Sequence, residues 1–146
     1  MEIVILIRYL HFISILAVVS TVIAEHLLLK NAMTREEVRR VSIIDAIYGV
    51  SALSVVVIGL NLWFFVGKPA EYYSSNWVFH LKVGLFLIVG LLSIIPTLFF
   101  IKNRKGNPKE TIALPKHIKW LIRIELLILF VLPLLASMMA HGVGAF

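Results

Sequence analysis

The sequence predicts an all-α membrane protein: a transmembrane four-helix bundle with both termini on the outer, periplasmic side. Three observations lead there. Sixty per cent of the 146 residues are hydrophobic and only 15% are charged, against about a quarter charged in soluble domains. A mean hydropathy of +0.97 leaves too little polar surface to cover a water-soluble globule. The apolar residues also fall into four blocks, each as long as the roughly 20 residues that cross the hydrocarbon layer as a helix. We read residues 1–146 as a single membrane domain, which excludes an extramembrane catalytic domain, a nucleotide fold and a zinc ribbon.

The spans are expected at about 3–24, 41–66, 77–101 and 120–140. Backbone amides find no water in the hydrocarbon layer, so helices are the default. The alternating ten-residue strands of a barrel are not visible. The first block imitates a signal peptide, but its basic residue, Arg8, lies inside the apolar run and no small-residue cleavage site follows. It is therefore expected to be a retained span. In the loop from Lys30 to Arg40, Thr34-Arg35-Glu36-Glu37 has the form of a helix-capping start. Gly67-Lys68-Pro69 ends the second span, and Tyr72, Tyr73 and Trp77 form an aromatic belt before the third. The segment 102–119 is the one long hydrophilic loop, broken by Gly106-Asn107-Pro108.

Charge sets the orientation. The connection between spans one and two carries Lys30, Arg35, Arg39 and Arg40. That between spans three and four carries Lys102, Arg104, Lys105, Lys109, Lys116, Lys119 and Arg123. The opposite side has Arg8, Lys68 and Lys82, so eleven basic residues stand against three. Basic loops stay in the cytoplasm, which puts the 102–119 loop inside and places the chain in a bacterial inner membrane. The net charge of +6 then addresses anionic lipid rather than nucleic acid. The absence of cysteine excludes disulfides, thiolate metal ligands, iron–sulfur clusters and covalently attached haem.

Ionisable residues within spans cost roughly 2.5–3.5 kcal/mol each on insertion scales, so they are functional candidates by default. His11, His80 and His141 all fall on the outer side, and a neutral imidazole can ligate haem iron or another metal. His11 lies on one face with Arg8 and the Ile15, Val18 and Val22 stripe, and Arg8 could hold a haem propionate. The expected cofactor is haem b in the outer leaflet, with His11 as an axial ligand and His80 or His141 opposite. His141 could equally be a flexible C-terminal residue beside Gly142 and Gly144. His80 and Lys82 are two residues apart, hence about 200° apart around a helix, and cannot face the same way. The expected role is a redox or electron-transfer protein exchanging electrons with a quinone or redox partner, with Lys82 as its candidate catalytic residue. A homodimer through small-residue faces is expected.

Toward the cytoplasm, Glu25, Asp45 and Glu125 lie near the level of Arg39, Arg40 and Arg123, which suggests a structural ion-pair network. The sharper alternative is an ion- or proton-handling bundle built on those three acids, with His26 completing any metal site. A structural subunit without cofactor is the third reading. It predicts that no polar residues enclose a cavity.

Several segments together resemble an uncharacterised bacterial family of four-span membrane proteins, a domain of unknown function. They are Arg8-Tyr9-Leu10-His11, Ala24-Glu25, Asp45-x-x-Tyr48-Gly49, Gly59-Leu60, Gly67-Lys68 with Tyr72-Tyr73, and Lys82. Leu91-Leu92-Ser93-x-x-Pro96-Thr97, Glu125 and Met139-Ala140-x-Gly142 complete the set. His141 stands where that family is expected to have Arg. A second resemblance, to the bacterial haem-containing four-span protoporphyrinogen oxidases, rests on His11 and on Trp77-x-x-His80-x-Lys82. It implies a functional His and Lys, the His a candidate haem ligand, with Lys82 facing inward and His80 outward. The sequence departs from those oxidases in its loops and fourth span. Enzymatic chemistry of that kind would require a large apolar pocket beside Lys82.

Overall fold

The computed structural model describes residues 2–65 and 69–144. Four helices are long and apolar enough to span a membrane: α1 (Glu2–Leu28), α2 (Arg35–Phe64), α4 (Trp77–Asn103) and α5 (Lys116–Ala140). A short helix, α3 (Ala70–Ser74), precedes α4. All four long helices run past the expected spans at one end or both, because a helix continues into the headgroup layer until a cap or turn stops it. The expected end of the second span at Val66 and the Gly67-Lys68 break lie outside the described residues.

The α2 start is the one its sequence announces. The Thr34 hydroxyl accepts from the Glu37 amide at 3.1 Å, and the Glu37 carboxylate accepts from the Thr34 amide at 3.0 Å. At the other end of the bundle, Asn76 caps α4 by accepting from the amides of Val78 (2.9 Å) and Phe79 (3.3 Å). Its side-chain amide donates to the Val143 carbonyl at 3.3 Å, and the Trp77 amide donates to the Gly144 carbonyl. Residues 141–144 thus form a hydrogen-bonded turn seated on the start of α4, with Gly142 and Gly144 supplying the positive φ it needs. His141, the residue expected as a ligand or a flexible end, stands at the start of this turn.

The hairpin α1–α2 packs along its length, as does α4–α5. The two hairpins then join through α1 with α5 and α2 with α4, which closes a ring of four. The two basic loops meet at one end, where β1 (Ala32–Thr34) pairs antiparallel with β2 (Thr111–Ala113), Met33 opposite Ile112. The sequence reading has only loops here. The ribbon exists because Met33 and Leu114 are buried beneath it with Leu29, Val38 and Ile118, so two short strands gain an apolar floor. Arg35 ties the loops together: Nε and Nη2 donate to both Glu110 carboxylate oxygens at 3.1 and 3.2 Å, and Nη1 donates to the Asn103 carbonyl at 2.8 Å. Both basic loops therefore share one end of the bundle, as the charge count expects.

Candidate functional sites in the seam of the bundle

Between the two hairpins, in the half away from the ribbon, lies a cavity of about 540 Å³. That is within the ~300–1,000 Å³ range of small-molecule and cofactor sites. All four long helices line it. Its walls are Ile15, Val55, Phe86, Leu129 and neighbouring apolar residues, and two ionisable side chains interrupt them: His11 of α1 and Lys82 of α4. The two are close enough to interact electrostatically. His11 Nδ1 is buried and has no hydrogen-bond partner. Buried ring nitrogens are normally satisfied, so this one is an unmet donor or acceptor on a side chain that lines the cavity.

Local sequence explains the placement. A side chain at Gly59 would put its first carbon 3.3 Å from His11 Cε1, so the absence of one lets the imidazole lie against α2. Pro133 also lines the cavity, and without an amide hydrogen it cannot make the usual i→i−4 bond to the Leu129 carbonyl. Trp63 and Phe79 form an aromatic wall, edge-to-face at 4.7 Å, with the Trp63 indole donating to Ser74 Oγ. Phe12, Leu60 and Leu87 line the cavity and are also exposed on the bundle surface. The cavity therefore opens sideways, toward lipid.

The other expected ligands are elsewhere. His80 is exposed, and its Nε2 lies 2.7 Å from the Ser74 carbonyl. His141 is exposed beyond the end of α5, with Nδ1 2.9 Å from the Ser137 carbonyl. Arg8 is exposed and does not line the cavity. His80 faces outward for the reason the helix geometry requires, since Lys82 faces in. Among the described residues, no three His, Asp or Glu side chains are grouped to hold a metal ion, so His11, His80 and His141 do not form one ligand set.

A second polar site lies deeper in the seam, toward the ribbon. Glu25, Asp45 and Glu125 are 2%, 5% and 1% exposed, and the three carboxyls interact with one another. Thr97 of α4 donates its hydroxyl to Asp45 Oδ2 at 2.6 Å, so every long helix contributes. Tyr48, buried one turn from Asp45 on α2, is within electrostatic range of all three acids. The expected pairing with arginine does not occur. Arg39 donates to the carbonyls of Arg104 and Gly106 at 2.8 and 2.9 Å. Arg40 pairs with Glu36 at 3.2 Å, and Arg123 stacks over Trp120. Arg39 and Arg40 find partners near the start of α2 and Arg123 lies on an exposed face of α5, whereas Asp45 and Glu125 are buried about two and a half to three turns inside their helices. Sequence alone shows the three acids but not their convergence.

Fold and sites together define a class: a four-span helical membrane protein with a laterally open intramembrane cavity and a buried acidic centre. Residues 3–144 match a family described as predicted membrane protein, DUF2214. The chain belongs to that family, which agrees with the first resemblance drawn from the sequence and lends no support to the resemblance to haem oxidases. No curated protein and no solved structure matches it.

Proposed function

We propose that the protein binds haem b in the cavity between its two hairpins and serves as a membrane redox or electron-transfer protein. One observation carries the reading: His11, with an unpartnered buried ring nitrogen, and Lys82 line the same apolar cavity of about 540 Å³. The residues suit the group. A largely apolar wall accommodates a porphyrin face, a neutral imidazole is an iron ligand, and an ammonium can hold a propionate. Bound haem supplies a one-electron couple. The chain supplies the ligand at His11, the cation at Lys82 and the exclusion of water by Phe86, Leu129 and their neighbours. His80, His141 and Arg8 stay outside this assignment, because each is exposed and none lines the cavity.

The sideways opening suits a lipid-soluble electron partner such as a quinone. A purely structural subunit accounts for neither the cavity nor the two ionisable side chains inside it. The excess of basic residues in the ribbon loops supports a cytoplasmic position for them at a bacterial inner membrane, with the cavity then in the outer leaflet. Gly49 and Gly84, with open space beyond them, suit the contact of a homodimer. The deciding experiment is an absorption spectrum of protein purified after expression with haem supplementation. A Soret band that is lost or shifted in His11→Ala supports the reading, and a colourless preparation overturns it.

A further inference from the structure

We propose that Glu25, Asp45 and Glu125 form a buried proton-storing site that holds at least one proton at neutral pH. The inference stands apart from haem binding and uses none of the cavity residues.

The geometry requires a proton in three ways. First, all three acids are buried, at 2%, 5% and 1% exposed for Glu25, Asp45 and Glu125. An ionised carboxylate is an acceptor only, so each buried oxygen needs a donor or a proton. Second, Glu25 Oε1 and Glu125 Oε2 are buried and unpartnered. The nearby hydroxyls do not satisfy them. Thr21 donates back to the carbonyls of Ala17 and Val18, Ser93 to that of Gly90, and Thr97 to Asp45. Third, no cation answers the three acids among the described residues. The groups that face them are Tyr48 from α2, Ser93 and Thr97 from α4, and the other acids from α1, α2 and α5. Arg104, which is nearby, donates to Ser42 at 3.1 Å, one turn from Asp45. His26 is turned about 100° around α1 from Glu25.

Three negative charges without a counterion in an apolar interior are strongly unfavourable. A carboxyl there neutralises by taking up a proton. The stored proton sits on a carboxyl oxygen of this centre, and its release would pass a proton, with no electrons, to water or to a neighbouring carboxylate. A metal ion is the competing occupant, but the described acids are not grouped to ligate one.

The test is infrared spectroscopy of the whole protein in lipid vesicles at pH 7, prepared without added haem so that failure here is separate from failure of the haem reading. The expected result is a protonated-carboxyl C=O stretch that shifts in D2O. It should be lost or displaced in Glu25→Gln or in Glu125→Gln, whose orphaned oxygens mark the site, and unchanged in the Glu71→Gln control. The wild-type spectrum does not depend on any variant folding. Absence of the band in wild type overturns the proposal, as does a band that neither substitution alters. A stoichiometric metal ion that co-purifies with wild type and is lost in Glu125→Gln also overturns it.

Discussion

His11 on α1 and Lys82 on α4 come from opposite hairpins and line one cavity, while His80, two residues before Lys82, lies exposed against the Ser74 carbonyl. This relationship divides the three histidines expected as ligands into one that lines the seam cavity, His11, and two that do not, His80 and His141. Replacing His80 or His141 by Ala should leave haem binding within about twofold of wild type, measured by titration of the Soret absorbance. Lys82→Met should weaken it. A charge-assisted hydrogen bond contributes about 1.5–3 kcal/mol, which corresponds to at least roughly tenfold in affinity.

Gly59 is where the cavity can be closed without touching either ionisable group. A first side-chain carbon there would already lie 3.3 Å from the His11 ring. Gly59→Val is expected to displace the imidazole and abolish haem binding. Overpacking costs about 1–3 kcal/mol, so the protein should remain folded. Circular dichroism and gel filtration in detergent would check the fold, and the Soret titration the binding.

The acidic centre gives a stability prediction whose size separates two explanations. Removing one partner of a buried ion pair costs about 3–5 kcal/mol, because the other charge is stranded. Glu25 and Glu125 have no arginine partner, so Glu25→Gln and Glu125→Gln should leave the thermal midpoint unchanged or raise it. A drop equivalent to several kcal/mol would point to a hidden cation.

The ribbon carries a pH dependence of its own. Glu110 lies outside the membrane-spanning helices, and its bidentate bonds with Arg35 hold its carboxyl below the usual glutamate range. A depressed folded pKa contributes stability that is present above the ordinary value of about 4.3. That stability fades as pH falls through the lower folded value. Hydrogen exchange at the amides of Arg35 and Leu114, which bond to Glu110 and Asn31 across the loops, should quicken in that acidic window. Glu110→Gln should exchange faster at neutral pH and lose the dependence.

Much of this architecture is legible in the chain because each signal is local. Four apolar blocks long enough to cross a bilayer mark four helices. Thr34 and Glu37, three apart, mark a cap. The 200° between His80 and Lys82 follows from helix geometry alone, as does the Ile15–Val18–Val22 stripe that continues from His11. What escapes is non-local. The ribbon joins three-residue strands about 80 positions apart, neither with an alternating pattern long enough to announce it. The convergence of Glu25, Asp45 and Glu125 without arginine depends on how each helix is rotated about its axis. Lipid-facing and core-facing residues are equally apolar in such helices, so pattern does not report that rotation. The cavity depends on how the two hairpins pack, which no short segment encodes.

The absorption spectrum of the purified, haem-supplemented protein tests the central claim most directly. The account predicts a Soret band of about one haem per chain, lost or shifted in His11→Ala and retained in His80→Ala. A folded wild-type protein that stays colourless, or a band indifferent to His11, would contradict it.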